Sequence, residues 1–133
     1  MYEFYGDRDA DTLLVTYGRL FTEAVTARDI VHKRGGKLGI LKLCRIKPID
    51  HRAILFASGF RQIHFFEEGM RSGSVADVFR TLLDEEGYKG AYHVTAVDNT
   101  YVQHAPVKNA LKELGLDAQS MVDSLTEESG VSV

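Results

Sequence analysis

The sequence predicts an α/β protein, a three-layer α/β/α domain on a mostly parallel sheet. Three observations carry that expectation. Short, continuous apolar runs alternate with amphipathic stretches of helical period along most of the 133 residues. The longer helical stretches close on glycine. The length suits one hydrophobic core, and no internal repeat, low-complexity tract or linker divides it. Residues 1–133 are therefore read as a single domain, with 126–133 as a frayed tail.

The elements follow in order. Tyr2-Glu3-Phe4-Tyr5 alternates weakly and is placed as an added edge strand. Thr12-Leu13-Leu14-Val15-Thr16-Tyr17, ended by Gly18, is an unbroken apolar run, as a strand covered on both faces requires. From Arg19 to Arg34 the pattern becomes helical: Leu20, Ala24, Ala27 and Val31 share a face, Phe21 and Val25 flank it, and Gly35-Gly36 stops it. Leu38 to Leu43 is the next buried strand, and Cys44 at its end is expected to pack as a small hydrophobe. Pro48 delays helix entry, and Asp50 is placed to cap a short helix from Arg52 to Ala57. Gln62 to Phe66 is a further strand. Ser74, with Asp77 three residues on, opens the clearest helix in a capping-box-like pattern. Its apolar set is Val75, Val78, Phe79, Leu82 and Leu83, and Gly87 ends it. Ala91 to Val97 is the last parallel strand. Pro106 opens a helix striped by Val107, Ala110, Leu111 and Leu114, and a short final helix runs from Ala118 to Leu125.

Composition excludes several classes. The chain is 44% hydrophobic and 26% charged, which rules out a disordered or collagen-like protein. Sixteen basic against nineteen acidic side chains give a net charge of −3, contrary to a dedicated nucleic-acid binder. No apolar run approaches the roughly 20 residues of a membrane span, and Glu3, Asp7, Asp9 and Asp11 make the start unlike a signal peptide. A single cysteine forms no internal disulfide, so a reducing cytoplasm is the expected location.

Candidate chemistry is sparse. A dinucleotide site would show a Gly-rich turn after the first core strand, whereas Tyr17-Gly18-Arg19 has one glycine. Gly35-Gly36-Lys37-Leu38-Gly39 follows a helix and precedes a strand, the wrong polarity for a phosphate cradle, and is read as a helix stop. His32, His51, His64, His93 and His104 form no close pair and are read as surface or hydrogen-bonded core histidines. Ser58-Gly59 and Ser72-Gly73-Ser74 lack a nucleophile-elbow frame, and Glu67-Glu68 is a carboxylate pair that does not share a site by default, since neighbours in extended chain point to opposite faces. Two segments stand out: Arg45 to Asp50 and Glu67 to Ser74 both leave the C-terminal edge of the sheet, where open α/β folds bind ligands. The second runs into a helix N-terminus suited to an anion, with Arg71 alongside. Neither holds a convergent catalytic set, so loop-and-cap chemistry with a protein contact surface is the preferred account.

At this point the residues resemble a known family. Leu13-Leu14-Val15-Thr16-Tyr17-Gly18-Arg19, Arg45-Ile46-Lys47-Pro48-Ile49-Asp50 and Phe66-Glu67-Glu68-Gly69 leading to Gly73-Ser74 look like the C-terminal domain of the transketolase superfamily. Asp98 to His104, then Glu113-Leu114-Gly115-Leu116-Asp117-Ala118, is most similar to its 1-deoxy-D-xylulose-5-phosphate synthase branch. The resemblance runs from about Asp11 to Leu125. It implies a mixed five-stranded sheet whose first strand is antiparallel to the other four. It also implies a parent transferase that uses thiamin diphosphate and magnesium to condense pyruvate with glyceraldehyde 3-phosphate in isoprenoid precursor synthesis.

The Gly-Asp-Gly … Asn-Asn diphosphate signature and the domain holding the catalytic glutamate are not in this chain, and residues 69–72 make a shorter connection than the synthase pattern. The resemblance therefore carries over no catalytic, cofactor-binding or metal residue. It implies a role in packing against the pyrimidine-binding and diphosphate-binding domains and in a homodimer contact. The interface or anion candidates are Arg45, Lys47, Glu67, Glu68, Arg71, Ser72, Ser74, Asp98, Tyr101 and His104. The rival expectation is a free-standing, non-catalytic interaction or regulatory module of the same fold.

Overall fold

A computed structural model describes residues 2–18, 20–46, 48–68, 75–97, 121–123 and 125. Its elements run β1 (Tyr2–Gly6), β2 (Thr12–Thr16), α1 (Leu20–Lys33), β3 (Gly39–Leu43), α2 (His51–Ala57), β4 (Gln62–Glu68), α3 (Val75–Glu85) and β5 (Ala91–Val97). They build one five-stranded sheet in the order β1-β3-β2-β4-β5. The β2–β3, β2–β4 and β4–β5 pairs are parallel, while β1 runs antiparallel along β3 from Tyr2↔Leu43 to Gly6↔Gly39.

Strand alternation divides the core into two layers. Leu13, Val15, Leu41, Leu43, Ile63 and Phe65 face α2 and α3, where Ala53, Ile54, Ala57, Val75, Ala76, Phe79 and Leu83 meet them. Leu14, Ile40 and Phe66 face the other way, onto Leu20, Ala24, Ala27 and Val31 of α1 and onto Met121, Val122 and Leu125. All five residues of β2 are buried because the strand is central and covered on both faces, the reason its sequence never alternates.

The helix ends follow their local chemistry. The Asp50 carboxylate accepts the Arg52 N–H at 2.9 Å and caps α2. After α1, the Gly35 N–H donates to the His32 carbonyl and the Gly36 N–H to the Val31 carbonyl, and after α3 the same pattern recurs with Gly87 on Asp84 and Tyr88 on Leu83. Both closures need a left-handed residue, supplied by Gly35 at φ 81° and Gly87 at φ 78°.

Several expectations are corrected. β4 runs on to Glu68 rather than stopping at Phe66, so Glu67 and Glu68 belong to the strand and not to the loop after it. Cys44 is exposed rather than packed as a core hydrophobe, because β3 ends at Leu43 and the chain has already left the sheet. Val78 is 46% exposed: the buried arc of α3 is Val75, Ala76, Phe79 and Leu83, centred away from it. The helix expected from Pro106 to Gly115, the Ser74 capping box and the tail from Thr126 lie outside the described residues.

Candidate functional site

The order of the parallel strands creates a crevice. From β2 the chain steps through α1 to β3 on one side, then returns past β2 to place β4 on its other side. The helices that follow β2 and β4 consequently cover opposite faces, α1 in one layer and α3 in the other. Between the C-terminal ends of β2 and β4 lies the topological switch point, where open α/β sheets bind ligands.

Two side chains fill that point. Tyr17, just beyond β2, donates its hydroxyl to Oε2 of Glu67 on β4 at 3.0 Å. Oε1 of the same carboxylate accepts the Ala76 N–H, in the first turn of α3, at a long 3.4 Å. Glu67 is only 3% exposed, and among the described residues no ion pair reaches it. A buried carboxylate without a cation is costly unless hydrogen bonds and a dipole offset the lost water, and here the hydroxyl, the amide and the positive end of α3 do so.

The surrounding groups hold this arrangement. The Tyr92 hydroxyl donates to the Ala76 carbonyl at 2.7 Å, so the residue whose N–H meets Glu67 is pinned from its other side by β5. Burial, and then the nearby charges of Glu67 and Asp77, push the Tyr92 phenol well above its ordinary range and keep it a donor. The Thr16 hydroxyl donates to the Phe66 carbonyl at 2.9 Å, tying β2 to β4 one step before the crevice. The Tyr17 ring stands edge-on to Phe65 at 6.2 Å.

The candidates from sequence fall into three groups. Glu67 lies at the switch point. Arg45 is exposed in the segment that leaves β3 at the same edge, and Glu68 is the last residue of β4, in register with Val97. Lys47, Arg71, Ser72, Ser74, Asp98, Tyr101 and His104 lie outside the described residues. Sequence reasoning missed Tyr17 and Tyr92 as partners of Glu67. The available signal was the alternation Ile63, Phe65, Glu67, which continues the inward face one step past the end assigned to the strand.

A second buried polar group lies in the other layer. His64, 2% exposed, stacks on Phe66 with ring centroids 4.2 Å apart, and its Nε2 is 3.0 Å from the Thr95 hydroxyl. Its Nδ1, among the described residues, is buried without a hydrogen-bond partner, so the hydrogen bonding of this core histidine runs through Nε2. Among the described residues, no group of three or more His, Cys, Asp or Glu could hold a metal ion. No described helix is long and apolar enough to cross a membrane.

A sheet of this order with Tyr17 and Glu67 at the switch point defines a class: a doubly covered α/β domain whose described residues form no nucleotide cradle at the C-terminal edge. The family model for the transketolase C-terminal domain matches residues 6–121, and the chain belongs to that family. Among curated proteins it is similar to 1-deoxy-D-xylulose-5-phosphate synthases. It is 26% identical over 125 residues to that of Lachnoclostridium phytofermentans, covering 92% of this chain and 20% of the relative. It is 21% identical over 123 residues to that of Helicobacter pylori strain J99, with the same coverage of 92% and 20%. It is 26% identical over 113 residues to that of Treponema pallidum strain Nichols, covering 84% of this chain and 18% of the relative. The chain thus spans about a fifth of the length of these relatives. Among solved structures, a chain described as a split gene transketolase, inactive beta4 tetramer, superposes with a TM-score of 0.80 at 17% identity, covering 100% of this chain and 42% of that one. That likeness shows the fold.

Proposed function

We propose that the chain serves as the C-terminal domain of a thiamin-diphosphate-dependent transferase of the 1-deoxy-D-xylulose-5-phosphate synthase type. In that setting it packs against the pyrimidine-binding and diphosphate-binding domains and extends a homodimer contact in the cytoplasm, while the chemistry resides elsewhere. The observation that carries this reading is the family match over residues 6–121 in a chain that spans only a fifth of its relatives. The geometry supports a non-catalytic part. A diphosphate brought to the switch point would meet the Glu67 carboxylate, a like charge already holding the Ala76 N–H, so these residues do not fit the cofactor. When bound in the parent enzyme, thiamin diphosphate with magnesium supplies the carbanion chemistry, and this domain supplies surface and rigidity.

Sedimentation equilibrium tests the reading, with the chain alone over a hundredfold concentration range and then mixed with the pyrimidine-binding and diphosphate-binding domains from the same organism. Self-association and a defined complex are the expected results, with Tyr101→Asp weakening self-association. A monomer inert toward both domains overturns the packing role and favours a free-standing module. Calorimetry with magnesium and thiamin diphosphate on the chain alone should show no micromolar binding, and a micromolar dissociation constant would overturn the non-catalytic assignment.

A further inference from the structure

We infer that Glu67 is a built-in anion that latches the switch point shut, and that this latch sets the shape of the edge offered to the neighbouring domains. Three features converge. The crevice between β2 and β4 is the ligand-binding position of the fold, yet a carboxylate of the chain itself is buried there. That carboxylate bridges the end of β2, through the Tyr17 hydroxyl, to the first turn of α3, through the Ala76 N–H. Glu67 and Ala76 also belong to successive elements, β4 and α3, so their contact ties the strand directly to the first turn of the helix that follows it.

The latch sits at the switch point, the position where open α/β sheets in general bind their ligands. Anion recognition by a helix N-terminus is used here to organise the protein rather than to bind a solute. Glu67 is a positioning residue: it acts through Tyr17 and the first turn of α3 on the edge where Arg45 and Glu68 emerge. That this edge meets other domains rests on the function proposed above, whereas the latch itself does not.

The experiment therefore has two readouts. In Glu67→Ala, amide hydrogen exchange at Ala76 should accelerate at least tenfold, and 100 mM sodium formate, which restores a carboxylate to the vacated space, should recover most of the protection. Formate should leave the exchange of wild-type protein and of Tyr17→Phe unchanged. Loss of a merely structural side chain would not be reversed by a small anion. Unchanged exchange in Glu67→Ala, or accelerated exchange that formate fails to reverse, overturns the latch. If Glu67→Ala does not fold, the same measurement on Glu67→Gln decides, with partial protection expected and full wild-type protection contrary to the role of the charge. The second readout is affinity for the pyrimidine-binding domain: at least a tenfold loss in Glu67→Ala, regained with formate, supports the positioning role, and equal affinity refutes it. If wild-type chain binds no such domain, the proposed function fails and exchange alone decides the latch.

Discussion

Acidification should destabilise this protein through His64 in a window set by its burial. The imidazole is stacked on Phe66, on the face of the sheet that α1 shares with Met121, Val122 and Leu125, and among the described residues its Nδ1 has no hydrogen-bond partner. Burial, and then the nearby charge of His93, lower its pKa from 6.5 to about 4. The unfolded chain titrates near the ordinary value, so between about pH 6.5 and pH 4 the unfolded state binds the proton that the folded state refuses. Stability therefore rises with pH across that window and is lost as pH falls through it. A shift of this size corresponds to about 3 kcal/mol once both states are protonated, and to about 2 kcal/mol between pH 7 and pH 5. For a domain of this length, about 2 kcal/mol is about 7 °C in Tm. Urea unfolding of the wild type and of His64→Gln from pH 7 to pH 5 isolates the effect, because every other titrating group is common to both. Glutamine keeps a polar atom for Thr95 and cannot take the proton. The wild type should lose about 2 kcal/mol more than the variant over that range. Parallel pH profiles would refute the argument, since they would mean that His64 takes up its proton in the folded state near its ordinary pKa.

Two further outcomes test the packing. Phe79 is fully buried and meets Phe65 edge-on at 5.5 Å and Tyr92 nearly parallel at 6.4 Å. Phe79→Ala should therefore cost about 3–5 kcal/mol in urea unfolding, and a loss below about 1 kcal/mol would show that the α3 layer is not close-packed. Gly87→Ala keeps the chain length but places a Cβ at φ 78°, so it should cost about 1–2 kcal/mol by thermal unfolding, and an unchanged Tm would contradict the left-handed closure of α3.

How much of this was legible in sequence depends on whether the controlling physics was local. The apolar runs of β2 and β3 and the period of α1 announce themselves because burial on both faces, or along one stripe, writes directly into residue order. Leu20, Ala24, Ala27 and Val31 are the four residues of α1 that are buried. The Asp50 cap and the glycine closures are equally local, each spanning a few residues. Where the deciding partner came from elsewhere in the chain, pattern reading stopped short. Val78 looked as apolar as Phe79, and only the placement of α3 on the sheet decides which of the two is covered. Cys44 looked like the end of a buried strand, and only the turn of the chain away from the sheet exposes it.

Glu67 shows why a site can be harder to read than a fold. The sequence pattern ends the strand at Phe66, with Glu67 opening the segment that leaves the sheet. What buries Glu67 is a set of donors that become neighbours only on folding: a hydroxyl fifty residues earlier in the chain and an amide in the following helix. Strand alternation from Ile63 through Phe65 could have pointed inward. Accepting that meant placing a carboxylate in a core where, among the described residues, no cation pairs with it, which is favourable only if donors and a helix end are already waiting there. The strand pattern identified the edge on which the residue sits, but only the folded chain shows that its ligand position is taken by one of its own side chains. Among the described residues, this carboxylate ties the ends of β2 and β4 to the first turn of α3. A free anion at the switch point would have to displace Glu67 before it could bind, whereas a packing partner would gain from the order the carboxylate already imposes.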